Sequence, residues 1–316
     1  MSIRIGALLA SALLTSAACS QSPPPAATAG TSEAPLIAGA HFHHVHINSV
    51  DPAASIAYYL KHFNAKPAKF AGLTDAVWVQ KSWLLFTKVA TKASTKINSP
   101  IWHIGWGTPD PKQEFKRQTE LGNTFFQPLT DISTASANWD PDTFYFMYVA
   151  SPDRTLIELN TAPTDNFGHL HLLSADTNAA ADFYMKFFGA TPKTSATARQ
   201  PPPPASGQSP PPRRPASFMI DNVNLILMPV SYAKTEFPAD WVGISELQPS
   251  RGTVNDHIGF SVPNLDNALK IMRANGVKIT SEPVDVPGKF RYAFIEGPDR
   301  IAIELIEDHT GHPPEE

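Results

Sequence analysis

His43-His44-Val45-His46-Ile47-Asn48-Ser49-Val50-Asp51-Pro52 reads as a short strand carrying histidines that runs into a helix. Three later stretches repeat it: Trp102-His103-Ile104-Gly105-Trp106-Gly107-Thr108-Pro109-Asp110, Gly168-His169-Leu170-His171-Leu172-Leu173-Ser174-Ala175-Asp176 and Asp256-His257-Ile258-Gly259-Phe260-Ser261-Val262-Pro263-Asn264. In each copy a histidine (His44, His103, His169 or His257) precedes by seven residues an Asp or Asn suited to accept from the free amides of a helix start. Two late strands close alternate copies, Pro152-Asp153-Arg154-Thr155-Leu156-Ile157-Glu158 and Pro298-Asp299-Arg300-Ile301-Ala302-Ile303-Glu304.

After Asp51 the apolar residues Ile56, Tyr59, Leu60 and Phe63 fall on one helical face, with Pro52 at the first helical position. Ala76 to Gln80 and Trp83 to Thr87 then read as strands, so one unit is a strand, a helix and further strands. The second copy has Asp110 and Pro111 at its helix start and a stop at Gly122; the third helix stops at Gly189 and the fourth at Gly276. The proline-dense stretch 199–215 reads as an extended loop inside the third copy.

The full chain has 316 residues and a net charge of -4, which leaves room for two medium domains and gives no support for nucleic-acid binding. Residues 1–19 read as an export signal, with Arg4, an apolar run from Ile5 to Leu14 and small residues up to Cys19. Leu14-Thr15-Ser16-Ala17-Ala18-Cys19 resembles a bacterial lipobox, which implies a lipid on Cys19, anchorage to the periplasmic side of the envelope and, with Ser20 next, the outer membrane. Cys19 is the sole cysteine, so no internal disulfide forms. Residues 20–40, rich in Pro, Ala, Ser and Thr, read as a tether, with ordered structure from His41 and a tail at 309–316.

Side chains alternate along a strand, so His44, His46 and Asn48 share one face while Val45 and Ile47 share the other. The same alternation puts His103, Gly105 and Gly107 inward with Trp102, Ile104 and Trp106 outward, and places His43 on the outer face. Polar and very small residues on one side, with large apolar ones on the other, describe a lined cavity backed by a packed layer. Buried His and Glu without partners would be costly, and a divalent cation satisfies them together. His62, His309 and His312 are expected in solvent.

Four strand–helix–strand–strand–strand units with these histidines and late glutamates resemble the vicinal oxygen chelate superfamily over residues 41–308. It comprises glyoxalase I, extradiol dioxygenases, fosfomycin-resistance transferases and bleomycin-resistance proteins. The resemblance implies an α+β fold: four βαβββ units forming two open mixed-sheet barrels, one from 41–163 and one from 164–308. It also implies two metal triads, His44/His103/Glu158 and His169/His257/Glu304, holding Fe(II) or Mn(II), with Zn(II) or Ni(II) also compatible. His46 and His171 are then acid–base groups, outer donors or substitute ligands. Tyr148 occupies the place of the dioxygenase tyrosine, four residues before Pro152. Its counterpart in the second half is Phe294, with Tyr292 two residues earlier.

The last strands of the odd units, around Leu85 and Ile226, carry no carboxylate, which weighs against glyoxalase-type isomerisation with four ligands. The histidine that assists the dioxygenase tyrosine also has no match here. The expected activity is therefore that of an exported, dioxygenase-like metal enzyme acting on a small molecule chelated through adjacent oxygens. The alternative is a protein that sequesters a small molecule or metal without turnover.

Overall fold

The computed structural model describes residues 34–133, 144–193 and 217–309. The export signal, Cys19, most of the tether, the proline tract and the tail beyond His309 lie outside the described residues. Residues 34–40 depart from the tether expectation: Leu36 and Ile37 donate backbone hydrogen bonds to the carbonyls of Lys186 and Phe187, and Ile37 is buried.

Unit one contains β1 (His41–Ser49), α1 (Pro52–His62), β2 (Lys66–Phe70), β3 (Thr74–Val79) and β4 (Ser82–Lys88). Unit two contains β5 (Ile101–Thr108), α2 (Pro111–Glu120), β6 (Phe125–Asp131), β7 (Tyr145–Ala150) and β8 (Leu156–Thr161). Unit three contains β9 (Phe167–Ser174), α3 (Thr177–Phe188), β10 (Thr191–Pro192), β11 (Ser217–Ile220) and β12 (Val223–Pro229). After α4 (Val230–Glu236) and a 3-10 turn at Pro238–Trp241, unit four contains β13 (Asn255–Ser261), α5 (Leu265–Ala274), β14 (Ile279–Val286), β15 (Phe290–Glu296) and β16 (Ala302–Asp308). Each helix that follows a first strand starts as its sequence requires: Asp51, Asp110, Asp176 and Asn264 accept from backbone amides of the first turn. Gly189 ends α3 in the left-handed conformation at φ 69°. Among the described residues no helix is long and apolar enough to cross a membrane.

The units pair differently from the consecutive order expected. One eight-stranded mixed sheet runs β14-β15-β16-β13-β1-β4-β3-β2 and so joins units four and one; the other runs β10-β11-β12-β9-β5-β8-β7-β6 and joins units three and two. The sheets are open, and their seams are the antiparallel pairs β1–β13 and β5–β9. Neither 41–163 nor 164–308 therefore completes a sheet of its own. Linker length supplies the reason. Only residues 162–166 separate β8 from β9, which keeps units two and three together, whereas 89–100 and 230–254 are long enough to carry the chain across.

One face of each sheet packs on helices. Val45, Ile47, Ile104, Trp106, Leu170, Ile258 and Phe260 are almost fully buried in a single apolar cluster with residues of α1, α3 and α5. Rings from α1 and α3 also reach the opposite sheet: Phe63 lies 4.5 Å from Trp106, and Phe188 stacks on Phe260 at 4.0 Å. Burial of each such side chain is worth roughly 1.5–3 kcal/mol. His62, expected in solvent, is buried against α2, where its Nδ1 lies 2.9 Å from Gln118 Oε1 and its ring stacks on Tyr58 at 4.4 Å.

Candidate metal centres

The other face of each sheet carries the histidines. The unit pairing regroups the six expected ligands, so neither expected triad forms as drawn. In sheet one His44 and His46 meet His257 and Glu304; in sheet two His103 and Glu158 meet His169 and His171. In each group four donor atoms, one per residue, lie within 4.8 Å of one another. The two centres share one plan. His257 Nε2 is 3.0 Å from Glu304 Oε2 and His44 Nε2 is 3.6 Å from it, while His103 Nε2 is 3.0 Å from Glu158 Oε2 and His169 Nε2 is 3.7 Å from Glu158 Oε1. His46 stacks on His257 at 4.4 Å, and His171 stacks on His103 at 4.2 Å.

Strand register explains the fourth donor. On the ladders that carry the glutamates, Gly105 stands opposite Glu158 and Gly259 opposite Glu304. At the equivalent rungs of the partner units, His171 faces Ile226 and His46 faces Leu85. Where the last strand offers no carboxylate, the first strand supplies a second imidazole. The glycines give that arrangement its room: a Cβ on Gly105 would sit 2.0 Å from the His169 ring, and one on Gly259 2.0 Å from the His44 ring.

Irregular register also corrects the expected faces of His43 and Trp102. The β1–β13 ladder skips a residue between Phe42 and His44 and another between His46 and Ile47 on its β13 side, and the β5–β9 ladder does so between Ile101 and His103 and between Gly105 and Trp106. The extra residues at these bulges are His43, Asp256, Trp102 and Gly168, each directly before a donor histidine. Strict alternation fails there, and both residues turn to the donor face. His43 Nδ1 lies 2.8 Å from His44 Nδ1, Asp256 Oδ1 accepts from His257 Nδ1 at 2.6 Å, and the Trp102 ring lies 4.5 Å from that of His103.

The donor sets fit a first-row divalent cation. His44 Nε2, His46 Nδ1, His169 Nε2 and His171 Nδ1 are buried without a hydrogen-bond partner, an expensive arrangement that a cation relieves. Burial, reinforced by the His257 imidazole, brings His46 to a pKa of about 3, and burial outweighs the Glu158 charge to bring His169 to about 4. Burial likewise holds His44 and His171 well below the ordinary histidine value. His257 moves the other way: burial alone would lower it, but its bonds to Asp256 and Glu304 raise it. Four of the imidazoles are thus neutral at pH 7, the form that binds a metal.

Histidine in the unfolded chain titrates near 6.5, so between about 6.5 and about 4 the unfolded state binds more protons at these sites than the folded one, and stability falls as pH falls. Metal-free protein should therefore show a lower denaturation midpoint at pH 5 than at pH 7. An equal or higher midpoint at pH 5 would contradict this account.

The surroundings of the two centres differ. Beside sheet two a cavity of about 1350 Å³ reaches Glu158, His169, His171 and Tyr148. Tyr148 donates to Glu158 Oε2 at 2.9 Å and Asn160 Nδ2 donates to Glu158 Oε1 at 2.8 Å. Burial and then the Glu158 charge push the Tyr148 phenol far above its ordinary range. Tyr232 and Phe237, from the segment between units three and four that carried no sequence signal, complete an aromatic wall with Trp102 and Phe146. In sheet one the rung of Tyr148 is occupied by Phe294, and that of Asn224, opposite His169, by Trp83. Trp83 packs with Trp78, Phe70, Leu85 and Ile306. Tyr292 is one step removed: it pairs with Ile306, and its ring packs against Phe290 and Phe294.

The architecture has counterparts among known proteins. A family model described as the Glyoxalase/Bleomycin resistance protein/Dioxygenase superfamily matches residues 166–305. Units three and four carry this superfamily's pattern. Lactoylglutathione lyases of Escherichia coli O157:H7 and Shigella flexneri are each 43% identical to it over 58 residues, which is 18% of this chain and 43% of each relative. The chain therefore matches less than half the length of those enzymes. Glyoxalase I from Zea mays has the same fold with a TM-score of 0.57 at 12% identity, covering 86% of this chain and 93% of the maize chain. A Bacillus subtilis protein described as a candidate dioxygenase superposes with a TM-score of 0.53 at 14% identity, covering 86% of each chain.

Proposed function

We propose that this chain is an exported, lipid-anchored, metal-dependent enzyme of that superfamily whose working centre is His103, Glu158, His169 and His171 of sheet two. The observation that carries the reading is the cavity of about 1350 Å³ that reaches three of those donors, Glu158, His169 and His171, with Tyr148 at its edge. Export and anchorage rest on the apolar run from Ile5 to Leu14 and the sole cysteine, Cys19.

A divalent cation bound there would act as a Lewis acid toward two adjacent oxygens of a substrate. The chain's own groups set the rest. Glu158 is held at both oxygens, by Tyr148 and Asn160, so its carboxylate has little freedom to turn. Tyr148 keeps its proton at neutral pH and serves as a hydrogen-bond and proton donor at its Oη rather than as a base. Trp102, Phe146, Tyr232 and Phe237 exclude water and select a bulky, mainly apolar body. Among the described lining residues the charged side chains away from the donors are Lys193 and Glu236, which offset one another. That lining favours a neutral aromatic substrate over the anionic glutathione conjugate named for the Escherichia coli relative. The absence of a second carboxylate among the donors points the same way.

Loading the protein with Fe(II), Mn(II), Zn(II) and Ni(II), then assaying aromatic vicinal diols and hydroxy ketones with and without oxygen, tests the proposal. Tyr148→Phe should lower turnover at least about 10-fold while leaving metal content intact, since it removes a donor but no ligand. A protein that binds such ligands with its metal yet turns over none of them would be a sequestering protein instead. One that takes up no metal would have neither role.

A further inference from the structure

We propose that the sheet-one centre is a second cation site, closed and structural, in which His44 Nε2, His46 Nδ1, His257 Nε2 and a Glu304 oxygen together hold one zinc-class ion. Outer partners hold each imidazole so that its other nitrogen serves as donor. Asp256 engages His257 Nδ1 at 2.6 Å, His43 engages His44 Nδ1 at 2.8 Å, and Thr87 Oγ1 engages His46 Nε2 at 2.6 Å. Of the nitrogens left over, His44 Nε2 and His257 Nε2 lie 3.6 and 3.0 Å from Glu304 Oε2, and His46 Nδ1 is buried without a hydrogen-bond partner.

Sheet two lacks these devices at the same rungs. Met228 stands where Thr87 does, and the bulge residues are Trp102 and Gly168 in place of Asp256 and His43. Outer-shell partners fix tautomer and ring orientation, so sheet one is built for retention. It is also short of space. Trp83 replaces Asn224 beside the donors, Phe294 lies 4.9 Å from the His257 ring, and the Arg251 guanidinium lies over Phe294 at 4.2 Å. Sheet two also brings four donors together, but there the cavity supplies the approach that a catalytic site keeps open, whereas Trp83 and Phe294 crowd the sheet-one donors as the surroundings of a structural zinc site do.

Its donors come from β1 near the start of the fold and from β13 and β16 near its end. An ion there fastens the seam between units one and four, which no short linker secures. The long chain segment it closes makes the constraint on the unfolded state large.

The test uses the full chain. Wild type loaded with Zn(II) should contain two equivalents, and Glu158→Gln and Glu304→Gln one each. Chelation should lower Tm in wild type and in Glu158→Gln by more than in Glu304→Gln, which keeps only the sheet-two ion. Co(II) in Glu158→Gln should show the intense visible bands of four-coordination. Thr87→Val, which leaves every donor in place, should weaken this site about 10-fold and serves if Glu304→Gln does not fold. The inference is overturned if Glu158→Gln holds no metal, if chelation leaves its Tm unchanged, or if its Co(II) spectrum is that of a five- or six-coordinate ion. A wild type with one equivalent that is lost in Glu158→Gln overturns it while leaving the cavity reading intact, and a wild type with none removes both.

Discussion

Replacing Glu158 with glutamine is expected to empty the cavity-facing centre, with metal affinity falling more than about 100-fold, beyond the 10–100-fold typical of losing an outer-shell partner. The substitution removes the only negative charge among the four donors, so three imidazoles would have to hold a dication without neutralisation. It also breaks the local hydrogen-bond logic. Tyr148 and Asn160 both donate to the carboxylate, one to each oxygen, and the glutamine amide would turn an NH2 toward one of these donors. A buried donor facing a donor costs about 1–3 kcal/mol on its own. Metal analysis after dialysis against a competing chelator reads the result, with wild type and Tyr148→Phe as comparisons. A Glu158→Gln protein that keeps the metal of this centre would show that the donors converge for some other reason.

The second large effect is expected at glycines. Gly105→Ala places a methyl 2.0 Å from Cε1 of His169, and Gly259→Ala places one 2.0 Å from Cε1 of His44. The atoms met are imidazole ring atoms held by burial, so the ring must leave its place. Overpacking of this kind costs roughly 1–3 kcal/mol. The sharper consequence is local: Gly105→Ala should lose the sheet-two metal and keep the sheet-one metal, and Gly259→Ala the reverse. Stoichiometry of the two variants, with Tm as the measure of folding, checks this. If both alanine variants carry two metals, the close approach of backbone and ring has no role in the centres.

Much of the fold could be read from local patterns. The first strands, the helix caps at Asp51, Asp110, Asp176 and Asn264 and the late glutamate strands depend on residues within a few positions of one another, and all are present. His43, Trp102 and His62 were misread for reasons that are not local. The first two sit at bulges created by pairing with a distant strand, and the third is covered by α2. Thr87, Asn160, Tyr232 and Phe237 gave no signal, because each matters only through a neighbour on another strand or helix. For Asp256 a sign is available, an acid directly before a donor histidine, but strict alternation would place it on the other face.

The sequence by itself determined the donor types, the four repeated units and the resemblance to the superfamily, because strand alternation, capping and ligand chemistry act over short spans. Tertiary structure alone decided which histidines meet which glutamate. Four nearly interchangeable first strands can pair in several ways with equally good ladders, and linker length and the packing of α1 and α3 between the sheets select units one with four and two with three. It also decided that one centre faces a cavity and the other a layer of tryptophan and phenylalanine, since room beside a metal is set by the side chains of neighbouring strands rather than by the ligands themselves.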